Sequence, residues 1–276
     1  MPEISVILLS IILAAGALAG CLGALLGIGG GVFLVPFLNS VVGLDLRVAI
    51  AVSLMTVIAT SSAVSARQSG RQLINLRLGM LLEVASAAGG AAAGMTLHRI
   101  SEHTLLITFA VVNALIAVLM LTRLDRRNVI LADGASPGTL GGRFFDEESG
   151  REIVYRVKRL PVGLGASAIA GYISGILGIG GGVLKVPVLN AWCGVPMRAA
   201  AATSALMIGV TAVASVPIQY ARGFVPPPLA AAAIIGVLLG SQAGFWFGGR
   251  ARTRWLKLLM ACVLASVSAV YFVKAL

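Results

Sequence analysis

A thirteen-residue segment that occurs twice constrains the fold more than any other feature of the chain. Residues 27–39 read GIGGGVFLVPFLN and residues 178–190 read GIGGGVLKVPVLN, so ten of thirteen positions are identical at an offset of 151. Both copies lie in apolar sequence, yet glycine costs about 1 kcal/mol in a helix interior and proline about 3 kcal/mol. A break repeated at corresponding positions of two halves is typical of transporters whose broken helices surround a site in the middle of the membrane.

The composition indicates an integral membrane protein. The chain is 58% hydrophobic and only 11% charged, whereas soluble domains carry about 25% charged residues. Most of the arginines behind the net charge of +11 lie between apolar segments, as the positive-inside bias predicts. The sequence has no basic stripe combined with a known nucleic-acid-binding motif, so nucleic acid is not expected as a partner. We expect a multi-pass protein of a bacterial-type inner membrane, with the lipid bilayer as its surroundings.

The offset of 151 continues beyond the motif and divides the chain. It pairs Arg47 with Arg198 and Ser53 with Ser204, which indicates an internal duplication. We therefore predict a first transmembrane repeat (residues 1–122), a polar cytoplasmic linker (123–160) and a second transmembrane repeat (161–276). Residues of alternating polarity around a Glu-Ser-Gly turn in the linker predict a small hairpin.

The predicted fold is an all-α polytopic membrane protein with two homologous halves. After each glycine run comes a short apolar piece, residues 31–43 and 183–194. Thirteen helical residues reach about 20 Å, which is less than a hydrocarbon core of about 30 Å. Each glycine run is therefore predicted to be the tip of a re-entrant or broken helical hairpin, which leaves three spanning helices in each half.

This hairpin scheme makes the two halves an inverted repeat. It puts most arginines on the cytoplasmic side, with the linker, and leaves single arginines outside, as the positive-inside rule favours. These outside residues are Arg47, Arg99 and Arg222. The alternative has four full spans in each half and makes the halves parallel, and residues 4–26 are long enough to span.

The glycine runs are the first candidate binding elements. Their backbone N–H groups can form a concavity that binds anions, and the short helix that follows would point its positive N-terminal end at the same place. Two such tips meeting in the middle of the membrane would suit an oxyanion. The alternative role is close helix packing through glycine. The candidates are Gly29, Gly30, Gly31, Gly180, Gly181 and Gly182.

Lys185 is the sharpest single side chain, because the first copy of the motif has Leu34 at the equivalent position. Lysine at the centre of a membrane helix costs about 2.5–3.5 kcal/mol on insertion scales. It should therefore face a cavity, a carboxylate or an interface. One interpretation is an electrostatic anchor for an anion, and the other is a lysine that snorkels to the membrane edge.

Polar side chains on and beside the predicted spans complete the candidate substrate site. Hydroxyls inside membrane helices also bond the backbone or a neighbouring helix, and the two asparagines could instead cap the short helices. These candidates are Ser53, Thr56, Thr203, Ser204, Asn39 and Asn190.

Two further features of the predicted spans bear on packing and charge. Glu83 could relay protons, but its place one to two turns from the start of its span favours an interfacial salt bridge. Glycines spaced four apart predict a stripe for close helix packing. The stripe consists of Gly236, Gly240, Gly244 and Gly248.

Signatures of enzymes are missing from the sequence. No Gly-Lys-Ser/Thr follows the glycine runs, as a phosphate-binding loop would require, and no strand–helix–strand unit surrounds them. His98 and His103 share one short loop without the spacing of metal ligands. We therefore expect no enzymatic activity, no cofactor and no metal.

The doubled motif resembles the sulfite exporter TauE/SafE family of membrane transporters. The resemblance lies in GIGGGVFLVPFL at 27–38, GIGGGVLKVPVL at 178–189 and Ala-Thr-Ser at 202–204, in halves joined by a polar linker. It implies export or uptake of small sulfur-containing anions such as sulfite, thiosulfate or organosulfonates. The first half departs from the pattern with Val52-Ser53 where the second has Thr203-Ser204, which implies unequal contributions from the halves.

The resulting hypothesis is a secondary transporter, acting as an exporter of such anions by alternating access around a midplane site between the glycine loops. Its rivals are a carrier for other small anions such as carboxylates, an anion channel, and a membrane scaffold that transports nothing. The anion, the direction of transport, the coupling ion and the oligomeric state are left open, with a homodimer as the candidate assembly.

Overall fold

The computed structural model describes residues 5–26, 29–69, 73–122, 137–146, 150–248 and 253–275. Within these ranges the chain forms ten α-helices and two β-strands. The helices are α1 (Val6–Leu26), α2 (Gly31–Pro36), α3 (Leu46–Ser69), α4 (Leu76–Thr96), α5 (Glu102–Thr122), α6 (Leu160–Leu177), α7 (Gly182–Ala191), α8 (Met197–Ala221), α9 (Pro227–Gly248) and α10 (Thr253–Ala275). The strands are β1 (Gly142–Asp146) and β2 (Arg151–Tyr155). A π-helical turn, Phe37–Val41, extends α2, and a 3-10 turn, Leu97–Arg99, extends α4.

The prediction of an all-α polytopic membrane protein is confirmed. In the described residues, six helices are long and apolar enough to cross a membrane: α1, α3, α4, α6, α8 and α9. The apolar parts of α5 and α10 are shorter there, Glu102–Val118 and Ala261–Lys274. At 1.5 Å per residue, the 21 residues of α1 extend about 32 Å. Both α1 and α6 are therefore long enough to span on their own.

The glycine runs break the chain where the sequence predicts. Gly29 and Gly30 have φ angles of 86° and 69°, and Gly180 and Gly181 have 81° and 59°. Glycine adopts this left-handed region without the penalty that a Cβ would bring. The helix direction therefore changes between α1 and α2 and again between α6 and α7. With 6 and 10 residues, α2 and α7 are too short to cross the membrane.

Two helices, α4 and α9, pack mainly against helices of the opposite sequence repeat. α4 packs against α6 and α8, whereas α9 packs against α1 and α3. Each of these two helices thus lies mainly with the opposite half of the sequence. The division of the chain into repeats stays a prediction, and the helix bundles do not follow that division.

Close glycine contacts hold these helices together, and the packing role predicted for the α9 stripe is confirmed at three positions. A Cβ on Gly240 would lie 1.8 Å from the Ala17 carbonyl oxygen of α1, and Gly236 and Gly244 meet the same helix backbone. The surroundings of Gly248 lie outside the described part of the chain. α6 and α4 make the equivalent contact, since a Cβ on Gly171 would lie 2.1 Å from the Ser86 carbonyl oxygen.

Two arginines define one end of the helix bundle. Arg47, at the start of α3, donates to the Ile100 carbonyl oxygen at 2.8 Å. Arg222, just after α8, donates to the Gly94 carbonyl oxygen at 3.2 Å. The start of α3 and the end of α8 therefore both lie at the C-terminal end of α4, so these equivalent helices run in opposite directions. That relation supports an inverted repeat, which stays a prediction.

The linker hairpin covers the other end of the bundle. β1 and β2 pair antiparallel, with Gly142 opposite Tyr155. Phe144 and Tyr155 pack with Leu78 and Leu82 of α4 in a buried cluster. The hairpin that the sequence predicts therefore lies against the start of α4, opposite the end that Arg47 and Arg222 mark. Its cytoplasmic location stays a prediction.

Candidate functional site

The two glycine loops meet beside α3. The hydroxyl of Ser53, which is fully buried, donates to the carbonyl oxygen of Gly178 at 2.7 Å. The same hydroxyl lies 3.4 Å from the carbonyl oxygen of Gly31. Ser53 therefore contacts both copies of the motif, and it joins the first loop to the second.

Two buried hydroxyls face the second loop without a hydrogen-bond partner among the described residues. They belong to Ser174, on α6, and Ser204, on α8, and both side chains are fully buried. A Cβ on Gly181 would lie 3.4 Å from the Ser174 Oγ, and one on Gly182 would lie 3.3 Å from the Ser204 Oγ. A buried polar group without a partner is costly. The two hydroxyls are therefore free to donate to a ligand oxygen.

A small pocket lies between α3 and α8, next to the first loop. Its lining residues are Gly29, Thr60, Ser61, Val64, Ala205 and Ile208. The Thr60 hydroxyl donates to the Thr56 carbonyl oxygen of its own helix at 2.5 Å and lies 3.3 Å from the Gly29 carbonyl oxygen. The pocket holds about one water molecule. A larger anion could enter only if α3 and α8 moved apart.

The glycine amides are less available than the sequence suggests. The Gly31 N–H donates to the Gly29 carbonyl oxygen at 2.8 Å, and the Gly182 N–H donates to the Gly180 carbonyl oxygen at 2.7 Å. These two amides are therefore used inside their own loops. A Cβ on Gly30 would lie 2.7 Å from the Ala19 carbonyl oxygen, so close packing against α1 also requires glycine there.

Lys185 faces a carboxylate, one of the three surroundings expected for it. Its ammonium group lies 3.6 Å from the Glu83 Oε2. The two residues are 2% and 4% exposed, so Lys185 does not snorkel. The salt bridge expected for Glu83 is present and is enclosed by α4, α7 and α8. Its location near the membrane interface stays a prediction.

The Thr211 hydroxyl lies between the two charges. The Lys185 ammonium donates to the Thr211 Oγ1 at 3.0 Å, and that hydroxyl lies 2.7 Å from the Glu83 Oε1. The Ser86 hydroxyl lies 2.8 Å from the Thr211 Oγ1. The Glu83 Oε2 has no hydrogen-bond partner among the described residues. The site is therefore a polar cluster of four side chains from three helices, with one carboxylate oxygen left unsatisfied.

The remaining predicted side chains have local partners. The Thr56 hydroxyl donates to the Ser53 carbonyl oxygen at 2.7 Å. The Thr203 hydroxyl accepts a hydrogen bond from the Asn75 N–H at 3.0 Å. The Asn75 side chain in turn bonds to Tyr155 of the linker hairpin. The Asn39 and Asn190 amides donate to the carbonyl oxygens of Leu44 and Val195, at 3.0 and 2.9 Å. The asparagines thus close the turns after the short helices, and the structure does not bring these four residues into the loop site.

Several residues of these clusters were not predicted as site residues. Thr60 and Thr211 stand at equivalent positions, 151 apart, and this pairing was the signal that could have singled them out. Ser86 and Ser174 carry no such signal, because their equivalents are Val237 and Gly23. In the described ranges, no group of three or more His, Cys, Asp or Glu side chains is placed to hold a metal ion.

Comparison with known proteins agrees with this architecture. The profile of the family described as Sulfite exporter TauE/SafE matches residues 12–271. The chain is 25% identical over 261 residues to Probable membrane transporter protein YunE of Bacillus subtilis, covering 92% of this chain and 93% of that protein. It is 23% identical over 273 residues to Probable membrane transporter protein MJ0441 of Methanocaldococcus jannaschii, covering 94% and 93%. No solved structure matches the chain. Because the family profile covers nearly the whole sequence, the chain belongs to the TauE/SafE family of membrane transporters.

Proposed function

We propose that the chain is a secondary transporter that exports small sulfur-containing anions such as sulfite, thiosulfate or organosulfonates. The anion binds where the two glycine loops meet, between α3 and α8, and crosses the inner membrane by alternating access. The description of the family as sulfite exporters supports the choice of substrate. The location of the site is supported by the buried, unpartnered hydroxyls of Ser174 and Ser204 beside the second loop.

Those two hydroxyls carry the proposal, because an oxyanion supplies what they lack. A sulfur oxyanion presents several acceptor oxygens to donors, and a hydrogen bond to a charged group contributes more than one between neutral groups. Ser53 already contacts both loops, so a ligand there would touch both halves. Opening of the pocket next to Gly29, by rocking of the bundle of α4, α6 and α8 against the bundle of α1, α3 and α9, would alternate the access.

Transport by the purified protein in liposomes tests the substrate class. The vesicles contain labelled sulfite, and thiosulfate, sulfoacetate, sulfate, lactate and chloride compete in turn. We expect saturable flux that only sulfur anions block. Equal block by lactate would favour a carrier for carboxylates. Flux that does not saturate would indicate a channel, and no flux with any anion would contradict the proposal.

Substitution of Ser204, one of the two buried serines without a partner among the described residues, tests the location of the site. Ser204→Ala removes a donor but breaks no hydrogen bond of the described structure, so we expect weaker transport without a loss of thermal stability. Ser241→Ala is the matched control, because within the described part of the chain this buried serine bonds to the Leu238 carbonyl oxygen of its own helix and to nothing else. The proposed location is wrong if Ser204→Ala transports as well as the control.

Substitution of the loops supplies a second test of the location. Gly30→Leu and Gly181→Leu each put a side chain where φ is positive and a neighbouring carbonyl oxygen lies within 3 Å of the Cβ. We expect each variant to lose transport. Transport at the normal rate in both variants would contradict any role of the loops.

A further inference from the structure

The Lys185–Glu83 ion pair is an incomplete contact between two buried charges. The separation of 3.6 Å between Nζ and Oε2 exceeds the usual range of about 2.7–3.2 Å for a hydrogen bond. Neither oxygen of the carboxylate therefore accepts a hydrogen bond from the ammonium group directly. The free-energy cost of removing two charges from water is offset only when the geometry of the ion pair is excellent and its remaining donors and acceptors are hydrogen-bonded. This pair meets neither condition.

The fold itself does not require charges at these positions. By the offset of 151, the equivalents of Lys185 and Glu83 are Leu34 and Ile234. Leu34 is buried in the main hydrophobic core. Ionisable side chains within membrane segments generally mark paths of substrates or protons. The pair therefore calls for a role other than folding.

Thr211 can serve the carboxylate in either protonation state. Besides Lys185, Glu83 and Ser86, its hydroxyl lies 2.9 Å from the Met207 carbonyl oxygen. A hydroxyl has one proton to donate, so Thr211 cannot donate to Glu83 and Met207 fully at once. It donates to the Glu83 Oε1 when that group is ionised. When Glu83 is protonated, the carboxyl can donate to Thr211, whose own proton then turns to Met207.

Thr60, the residue of the first half that is equivalent to Thr211, lies beside a small pocket. Thr60 lines the small pocket at Gly29, whereas Thr211 contacts an ammonium group and a carboxylate. The Lys185 ammonium group and the Thr211 hydroxyl, which surround the Glu83 carboxylate, are donors that an external oxyanion would also bind.

We propose that the anion bound at the second loop also reaches Lys185, three residues after Gly182 in α7, and that Glu83 holds this place when the anion is absent and couples transport to protons. This inference rests on the proposed anion transport. When the anion binds the Lys185 ammonium group, the carboxylate leaves and takes up one proton from solution. When the anion departs, Glu83 loses that proton and returns to Lys185. The site therefore never holds Glu83 and the anion both charged against one lysine.

The charged surroundings of Glu83 are simple. α4 packs against α6 and α8, and α7 supplies Lys185. Among the described residues, Lys185 is the charged group in contact with Glu83. Tyr172 of α6 bonds to Thr96 at the far end of α4, and Tyr155 of the hairpin bonds to Asn75 before α4 begins. Proton uptake on anion binding would therefore come from Glu83 or from Lys185 itself, and substitution of Glu83 separates the two.

Proton counting on the purified protein tests the proposal. The protein in weakly buffered detergent solution is titrated near neutral pH with thiosulfate or ethanesulfonate, neither of which titrates there. A pH dye reports the protons, and calorimetry reports the bound anion. We expect uptake of about one proton per bound anion. Binding without proton uptake would overturn the coupling and leave the proposed transport intact.

Two substitutions assign the proton to its site. Glu83→Gln should still bind the anion but take up no proton, and Glu83→Asp, which keeps a titratable group, should take up protons as the wild type does. Glu102→Gln is the control, because Glu102 is exposed at the start of α5. Equal proton uptake in Glu83→Gln and the wild type would overturn the assignment. If Glu83→Gln does not fold, proton counts for the wild type and Glu83→Asp decide.

Transport in liposomes separates this proposal from the proposed function. Because the anion and the proton cross together in this scheme, export runs down the concentration gradient of the anion. In wild-type liposomes, a pH gradient with the acidic side outside should drive the reverse reaction, net accumulation of the anion. Glu83→Gln should lose that accumulation but retain the exchange of anion for anion. Wild-type exchange that a pH gradient cannot drive would contradict the coupling alone. No anion movement at all would contradict both proposals.

Discussion

The Ser53 hydroxyl donates to the Gly178 carbonyl oxygen at 2.7 Å, over a sequence separation of 125 residues. This bond links the first long helix after one glycine loop to the beginning of the other loop. Both residues belong to the repeated pattern, yet they come from opposite halves. The contact therefore makes the position of one loop depend on the helix that follows the other.

The first prediction concerns this link. Ser53→Ala should lower the free energy of unfolding by about 1–3 kcal/mol, because the buried Gly178 carbonyl oxygen loses its donor. Ser62→Ala is the control, since the hydroxyl of the exposed Ser62 bonds to the Ile58 carbonyl oxygen in its own helix. Thermal unfolding in detergent measures both. Equal stability of the two variants would show that the link contributes nothing.

The second prediction separates backbone strain from lack of space. Gly30→Ala and Gly181→Ala combine a positive φ with a carbonyl oxygen at 2.7 and 2.9 Å from the new Cβ. Gly223→Ala has a φ of 77° but nothing within 4 Å. Left-handed backbone costs an ordinary residue about 1–2 kcal/mol. Thermal unfolding should therefore show a larger loss for both loop variants than for Gly223→Ala, and an equal loss would exclude the steric contribution.

The third prediction concerns the energy of the buried ion pair. Lys185→Leu alone leaves Glu83 without its cation, which should lower stability by about 3–5 kcal/mol. The double variant Lys185→Leu/Glu83→Ile reproduces the residues at the equivalent positions, Leu34 and Ile234. It should recover most of that loss, because apolar replacement of a buried pair is often neutral. A double-mutant cycle by thermal unfolding measures the coupling, and additive losses would contradict the ion pair.

The fourth prediction concerns the linker hairpin. Tyr155→Phe removes the phenol oxygen to which the Asn75 amide donates at 3.0 Å. The hairpin should dock less tightly by about 0.5–1.5 kcal/mol. The buried Cys193, which lies in the same apolar cluster as the hairpin, should then react faster with a thiol reagent. Tyr220→Phe, at an exposed position, should leave that rate unchanged. Equal rates in the two variants would contradict a contribution of the phenol to docking.

The same hairpin should respond to alkaline pH. Burial raises the pKa of the Tyr155 phenol above its ordinary value, and the hydrogen bond with Asn75 offsets only part of that shift. The docked hairpin therefore binds the phenol proton more tightly than the undocked one. Its contribution to docking is complete below the ordinary pKa of about 10 and is lost as the pH rises above that value. Above a pH of about 10, limited proteolysis should show that the hairpin undocks more in the wild type than in Tyr155→Phe.

The breaks of the fold could be predicted because they depend on local chemistry. A run of glycines between apolar segments favours left-handed backbone over helix, and Gly29, Gly30, Gly180 and Gly181 have this conformation. The α9 stripe was predictable for a similar reason, since glycines four apart share one helix face, and three of them meet α1. Lys185 was predictable as an unusual residue because its apolar surroundings make the charge costly.

The partners of these residues were not predictable from local pattern. Glu83 and Lys185 are 102 positions apart in the numbering, and nothing near Glu83 in the sequence indicates that α4 packs with the second half. Thr203 looks equivalent in chemistry to Ser204, but the two point to different neighbours because successive residues of a helix lie about 100° apart. Thr203 bonds to Asn75, whereas Ser204 faces Gly182.

The pattern of amino acids is enough to identify a polytopic membrane protein with two breaks at equivalent places. Those properties follow from the apolar composition, from the cost of glycine and proline in helices, and from a repeat that can be read directly. Tertiary packing, in contrast, brings Ser53 to both loops, leaves the Ser174 and Ser204 hydroxyls without a partner among the described residues, and sets Glu83 beside Lys185. The pairing of Glu83 with Lys185 depends on the packing of α4 against helices of the second half, which is set by helix surfaces far apart in the chain.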